Sequence, residues 1–154
     1  MSNSPLVSII TVAFNSEKTI CHTIESVLTQ TYNNIEYWII DGTSMDHTVE
    51  IAESYRMQLE AKGVHYHILS EPDGGIYDGM NKGIRNATGE IIGIINSDDW
   101  YEPEAVQTAV ETFRETGCDL MYANIRMHKA DGSTFVKTAR SRRFQTSRDW
   151  NHPT

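Results

Sequence analysis

The sequence predicts an α/β fold: an open, mainly parallel sheet flanked by helices. Three observations carry this reading. Continuous apolar, β-branched runs recur, as expected of strands buried on both faces. Longer segments with apolar residues at helical spacing lie between them. The two types alternate, the pattern of a sheet built from strand–helix units. At 154 residues the chain suits one domain with a substantial core.

The elements follow in order. "LVSIITVAF" (6–14) reads as the first strand. "NSEKTICHTIESVLTQ" (15–30) reads as a helix that Asn15 or Ser16 can cap, with Ile20, Ile24, Val27 and Leu28 on one face. "IEYWII" (35–40) is a second strand, stopping at Asp41-Gly42. "SMDHTVEIAESYRMQLEAKG" (44–63) reads as one helix, capped near Asp46 and closed by Gly63. "VHYHILS" (64–70) is a third strand and leads into the loop "EPDGG" (71–75). "IYDGMNKGIRNATG" (76–89) is a short helix weakened by Gly79 and Gly83. "EIIGIIN" (90–96) is a fourth strand, broken by "SDDW". Pro103 opens the helix "PEAVQTAVETFRETG" (103–117). "DLMYANIRMHKADGSTFVKT" (119–138) reads as two strands around the hairpin signal Asp131-Gly132. After Thr138 the periodicity dissolves into an irregular basic tail, 139–154.

Composition narrows the function classes. The formal charge of −8 argues against a nucleic-acid binder, which normally carries a basic face. The late basic run "KTARSRRFQTSR" (137–148), with Lys137, Arg140, Arg142, Arg143 and Arg148, is either a solvated segment or a surface for phosphate or anionic headgroups. Cys21 and Cys118 are too few and too far apart for a disulfide framework or a zinc site and read as reduced core thiols of a cytosolic protein. The start lacks the basic residues of a secretory signal. No apolar run approaches the roughly 20 residues of a membrane helix. His22, His47, His65, His67 and His128 are scattered and read as structural or exposed.

Open parallel sheets bind ligands beyond the carboxyl ends of their strands, and the notable polar residues fall there. Asn15 follows strand one and Asp41 strand two. Glu71 and Asp73 follow strand three, and Asn96, Asp98 and Asp99 follow strand four. The adjacent Asp98 and Asp99 repel each other unless something positive lies near. One such Asp is as readily a helix cap. A pair after a buried strand also suits magnesium or manganese, which take one or two carboxylates, waters and substrate phosphates. Asp41-Gly42 reads as a tight turn, though Asp41 also stands where an acidic side chain accepts hydrogen bonds from a nucleoside. The paired glycines of "EPDGGIYDGMNKG" allow close backbone approach to a ligand. Lys82 behind them is either a surface lysine or a phosphate partner. Neither a dinucleotide fingerprint nor a P-loop is present, and no Gly-x-Ser-x-Gly elbow appears.

Together these segments resemble the family 2 glycosyltransferases with the GT-A fold. "VSIITVAFN" resembles the family's opening strand and "WIIDGTSMDHT" its Asp-Gly-(Ser/Thr)-Ser-x-Asp-x-Thr segment. "SEPDGGIYDGMNKGI" resembles the signature loop of a bacterial surface-polysaccharide branch, and "GEIIGIINSDDW" the strand with the Asp-x-Asp element. The resemblance runs from about Val7 to Tyr122. It implies a GT-A-like fold, a nucleotide-diphosphate sugar donor (a UDP-sugar by default), Mn2+ or Mg2+, and transfer with inversion. By position it implies Thr11, Ala13 and Asn15 around the nucleoside, Asp41 at the base, and Asp73 and Lys82 near the sugar or diphosphate. Asp98 would sit by the ribose or sugar and share the metal with Asp99, the principal ligand. Asn96 departs from the pattern, standing where many members have the first Asp.

The resemblance also implies a glycan or lipid-linked acceptor and work in the cytoplasm, with peripheral contact at the inner membrane face. It implies a carboxylate base well after the Asp-x-Asp strand. Asp131 and Asp149 lack that context, so the base is expected beyond Thr154, with residues 1–138 as the donor-binding part of a longer protein. The alternative is a nucleotide-sugar-binding module without turnover. A doubly wound phosphotransfer domain is a weaker third reading, because it leaves the 71–83 loop without a role.

Overall fold

The computed structural model describes residues 4–129 and 131–138. Most of the basic run at 137–148, the irregular tail expected at 139–154 and Asp149 lie outside the described residues. The chain forms two compact units, Met1–Gly117 and Cys118–Thr154.

The first unit alternates strand and helix: β1 (Val7–Ala13), α1 (Ile20–Leu28), β2 (Ile35–Asp41), α2 (Thr48–Ser54), α3 (Arg56–Ala61), β3 (His65–Ser70), α4 (Ile76–Asn86), β4 (Ile91–Asn96) and α5 (Ala105–Thr116). Its sheet has the order β3-β2-β1-β4 and is parallel throughout. The order reverses between β1 and β4, so a switch point lies at their carboxyl ends. In the second unit, β5 (Ile125–His128) pairs antiparallel with β6 (Thr134–Lys137) across the expected hairpin.

Every residue of β1 is buried, as a central strand's continuous apolar run demands. Alternation divides the core. Ile9, Ala13, Tyr37 and Ile39 pack with Ile20, Ile24 and Val27 of α1, Leu59 of α3, and Val106 and Val110 of α5. Ile10, Val12 and Ile40 form the opposite cluster, beneath Met80 of α4. Each fully buried isoleucine contributes about 1.5–3 kcal/mol. Gly83 lets α4 lie directly on β1: a Cβ there would stand 2.4 Å from Ile10 Cγ2. The glycines that weaken α4 in isolation are thus its contact face. Ile92 and Ile94 of β4 share the face of Ser8 and Ile10. Because α4 lies over β1 and β2, they remain 42 % and 41 % exposed.

Some expectations shift. The helix read over 44–63 breaks at Tyr55, whose hydroxyl donates to Glu25 on α1 at 2.8 Å. Asp46 does receive the Thr48 amide at 3.0 Å, and Gly63 closes α3 with φ +88°. Neither Asn15 nor Ser16 caps α1 with its side chain. The helix starts at Ile20, and the Ser16 carbonyl accepts the Thr19 and Ile20 amides. Cys21 and Cys118 are half-buried and form no disulfide; Cys21 is not a core thiol, because Ile20, Ile24 and Val27 take the buried face of α1.

At the amino-terminal edge of the sheet Glu36 is 4 % exposed. It accepts from the Ser8 hydroxyl and, at 2.9 Å each, from the Thr88 amide and hydroxyl. Burial pushes its pKa up, but the hydrogen bonds from Ser8 and Thr88 outweigh that and hold it below the ordinary carboxylate value. Among the described residues no helix is long and apolar enough to cross a membrane.

Candidate functional site

The carboxyl ends of the four parallel strands carry the candidate residues. Ala13 and Asp41 are register partners at the ends of β1 and β2. Asp41 is fully buried. Its carboxylate accepts from the Ser44 amide at 3.0 Å, the Ser44 hydroxyl at 2.5 Å and the Ser70 hydroxyl of β3 at 2.6 Å. A buried charge persists only when its lone pairs are satisfied in this way. Thr11 is fully buried too, its hydroxyl 3.0 Å from that of Tyr37. The side chains of Thr11 and Asp41 therefore point into the fold and are held by hydrogen bonds there.

The loops after β1 and β2 are stitched together. The Asn15 amide donates to Ser44 Oγ at 2.7 Å, and Asn15 Oδ1 accepts the Met45 amide at 2.9 Å. The Ser16 amide donates to Thr48 Oγ1 at 2.7 Å, and the Glu17 amide to Asp46 Oδ2 at 3.1 Å. Burial raises the Asp46 pKa, but hydrogen bonds from Thr48 and the Glu17 amide lower it by more. Asn15 and Thr43 occupy the left-handed region, with φ 49° and 64°. Asn adopts this readily, whereas for a β-branched Thr it is strained.

The loop after β3 closes over the same edge. Asp73 lies so near Gly42 that a Cβ there would stand 2.8 Å from Asp73 Oδ2, and one on Gly79 3.3 Å from it. Lys82 is only 12 % exposed at its side chain; its Nζ lies 3.1 Å from Glu71 Oε1 and 3.8 Å from Asp78 Oδ2, and donates to the Pro72 carbonyl at 2.6 Å. Lys82 thus anchors the loop that carries Asp73.

At the end of β4 Asp98 and Asp99 are exposed. Neither carboxylate caps α5, which begins at Ala105 without a side-chain cap. The Asp99 amide donates to the Asn96 carbonyl at 3.2 Å, and Asn96 Nδ2 to Asp99 Oδ2 at 3.3 Å. Asn96 Oδ1 is buried without a hydrogen-bond partner. The Ser16 and Ser97 hydroxyls meet at 2.8 Å, joining β1 to β4 across the switch point. Among the described residues no group of three or more His, Cys, Asp or Glu side chains could hold a metal ion. Two exposed carboxylates are a hard-oxygen donor set that fits Mg2+ or Mn2+ completed by waters and phosphate, not an all-protein cage.

Sequence reasoning did not single out Ser70 or Thr23. Ser70 only ends a strand and gives no spacing signal. Thr23 lies between Ile20 and Ile24, and a hydroxyl on that apolar face was the available clue.

The model of the family described as "Glycosyl transferase family 2" matches residues 8–153. The chain belongs to glycosyl transferase family 2. This family 2 chain is 38 % identical over 119 residues to the uncharacterized glycosyltransferase Rv1514c of Mycobacterium tuberculosis, covering 76 % of the chain and 43 % of that protein. It is 34 % identical over 147 residues to the putative glycosyltransferase EpsH of Bacillus subtilis, covering 95 % and 40 %. The chain thus spans about two fifths of the length of these relatives. Among solved structures, S. aureus TarS 1-349 in complex with UDP superposes with a TM-score of 0.67 at 26 % identity, covering 74 % of the chain and 33 % of that 1-349 chain. The mannosyltransferase PcManGT of Pyrobaculum calidifontis shares the fold at 22 % identity, with a TM-score of 0.66 over 73 % of the chain and 33 % of its own length. The GT-A-like α/β fold of this family 2 chain is therefore shown.

Proposed function

We propose that this chain binds a nucleotide-diphosphate sugar along the carboxyl edge of its sheet, as the donor-binding part of an inverting glycosyltransferase. The observation that carries the reading is the exposed Asp98–Asp99 pair at the switch point, beside the stitched loops after β1 and β2. The TarS complexes, one with UDP and another with UDP-GlcNAc, favour a uridine nucleotide.

In this reading the backbone of Thr11, Ala13 and Asn15 lines the nucleoside pocket. Asp41 holds the Ser44 loop that faces the base. Asp73 and the loop anchored by Lys82 close over the sugar and diphosphate. Asp98 and Asp99 would hold Mn2+ or Mg2+. Such a cation, when bound, supplies Lewis-acid stabilisation of the charge on the leaving nucleoside diphosphate. The acceptor is a glycan or lipid-linked sugar in bacterial polysaccharide assembly, reached in the cytoplasm or at the inner membrane face. We assign the base to no described residue: Asp131 accepts the Ser133 amide and hydroxyl in the hairpin turn. That commitment favours, as a second reading, a binding module without turnover.

The test is calorimetric titration of UDP with and without Mn2+, on the wild type and Asp99→Ala. Manganese-dependent binding that disappears in the variant is expected. A folded chain that binds no nucleoside diphosphate under either condition would overturn the reading. Sugar transfer or hydrolysis, assayed separately, divides the transferase from the binding module.

A further inference from the structure

Three polar side chains of α1, or of the turn that follows it, all end on the segment after β4. Thr23, Ser26 and Gln30 are spaced i, i+3, i+7 and are buried at 0 %, 7 % and 2 % exposure. Thr23 Oγ1 donates to the Asp99 carbonyl at 2.7 Å and lies 3.5 Å from the Asn96 carbonyl. Ser26 Oγ accepts the Tyr101 amide at 3.1 Å and donates to the Thr23 carbonyl at 2.7 Å. Gln30 Nε2 donates to the Glu102 carbonyl at 2.9 Å, and Gln30 Oε1 accepts the Val106 amide at 3.0 Å. The irregular backbone is fastened at 99, 101 and 102, and the first turn of α5 at 106.

Such residues are expensive on an apolar helix face unless every polar atom is satisfied. Satisfying the backbone of the irregular segment accounts for part of the ladder. It does not require that the first rung fall on the carbonyl of Asp99 itself. That rung holds the backbone of the pair while leaving both carboxylates exposed and free of the helix. Two adjacent carboxylates repel, and a loose backbone would let them turn apart. A fixed one presents both donors before any cation arrives, so less ordering entropy opposes binding.

We infer that Thr23, supported by Ser26 and Gln30, is a positioning residue for the Asp98–Asp99 pair: its hydroxyl sets the Asp99 backbone so that both carboxylates face one cation. This rests on the proposed donor site. The test uses the 154-residue chain as wild type, Thr23→Val, which keeps the shape and removes the hydroxyl, and Thr23→Ser, which restores the donor. Mn2+ is titrated at fixed UDP, and amide hydrogen exchange over 97–101 is measured without metal. Thr23→Val is expected to need about tenfold more Mn2+ for half-saturation, the usual scale for groups that orient metal ligands. Its 97–101 amides exchange faster than the wild type's in the metal-free chain. Thr23→Ser returns both readouts to near wild type.

A folded Thr23→Val chain that takes Mn2+ at the wild-type concentration overturns the inference. So does a Thr23→Ser chain as impaired as Thr23→Val, which would assign the effect to the methyl's packing. If Thr23→Val does not fold, Thr23→Ala set against Thr23→Ser carries the same comparison, since both lack the methyl and differ only in the hydroxyl that reaches the Asp99 carbonyl: an Ala variant that needs more Mn2+ than the Ser variant supports the inference, and equal requirements overturn it. A wild type that binds UDP equally with and without Mn2+ overturns the inference by removing the cation from the pair, and one that binds no UDP at all removes the donor-site reading, each before any variant is compared.

Discussion

Asn96 Nδ2 lies 3.3 Å from Asp99 Oδ2, so an amide rather than a third carboxylate faces the acidic pair. Asn96→Asp exchanges that hydrogen bond for repulsion. The metal-free chain is expected to lose about 1 kcal/mol, a charged hydrogen bond discounted for solvent screening at Asp99. It should then gain more from Mn2+ than the wild type does. Thermal melts with and without MnCl2 check both, and an unchanged metal-free Tm would count against the repulsion.

Asp41→Asn keeps the shape at the end of β2 but turns an amide toward Ser44 and Ser70, which donate to Asp41. Leaving buried donors facing an amide rather than a carboxylate costs about 1–3 kcal/mol. The urea midpoint is expected to fall accordingly. A loss under about 1 kcal/mol would mean that the Ser44 loop does not depend on this charge.

Gly79 and Gly83 give a graded pair. A Cβ on Gly83 would meet Ile10 Cγ2 at 2.4 Å, whereas on Gly79 the nearest atoms, of Asp73 and Val12, lie at 3.3 Å. Gly83→Ala is expected to destabilise by about 1–3 kcal/mol through overpacking. Gly79→Ala should cost less, since the gain in helix propensity offsets part of its tighter fit. Equal losses in paired denaturant curves would contradict the seating of α4 on β1.

Glu36 predicts the acid limb of stability. Its folded pKa lies below the ordinary 4.5, so the folded state favours the ionised form. Its contribution is complete above that ordinary value and is lost as pH falls through the folded pKa. Glu36→Gln should therefore flatten the decline of Tm below about pH 4.5. Thermal melts at a series of acidic pH values test this, and parallel curves for the two proteins would refute it.

Strands β1 and β2 were legible because burial on both faces writes a largely apolar run, and β4 because its own apolar run persists although one of its faces stays half open. The carboxyl-edge residues were legible because parallel strands deliver their ends to one side. What escaped depends on partners far along the chain. Nothing near Tyr55 announces its bond to Glu25, so one helix was read where two exist. Asn15 follows a strand as a cap would, yet its side chain receives the Met45 amide. Lys82 offered two roles by composition, and contact with Glu71 and Pro72 supplied another. Thr11 and Asp41 were placed correctly along the strands, but only packing revealed that their side chains face inward.

Among the described residues β4 pairs only with β1, and beside its open edge Ile92 and Ile94 are about two-fifths exposed. An unpaired strand edge flanked by apolar side chains is a template for strand addition between molecules. In purification this chain is expected to behave as a sticky solute. Light scattering should rise with concentration, and a lysine at Ile94, whose charge would oppose edge-to-edge stacking, should quiet it.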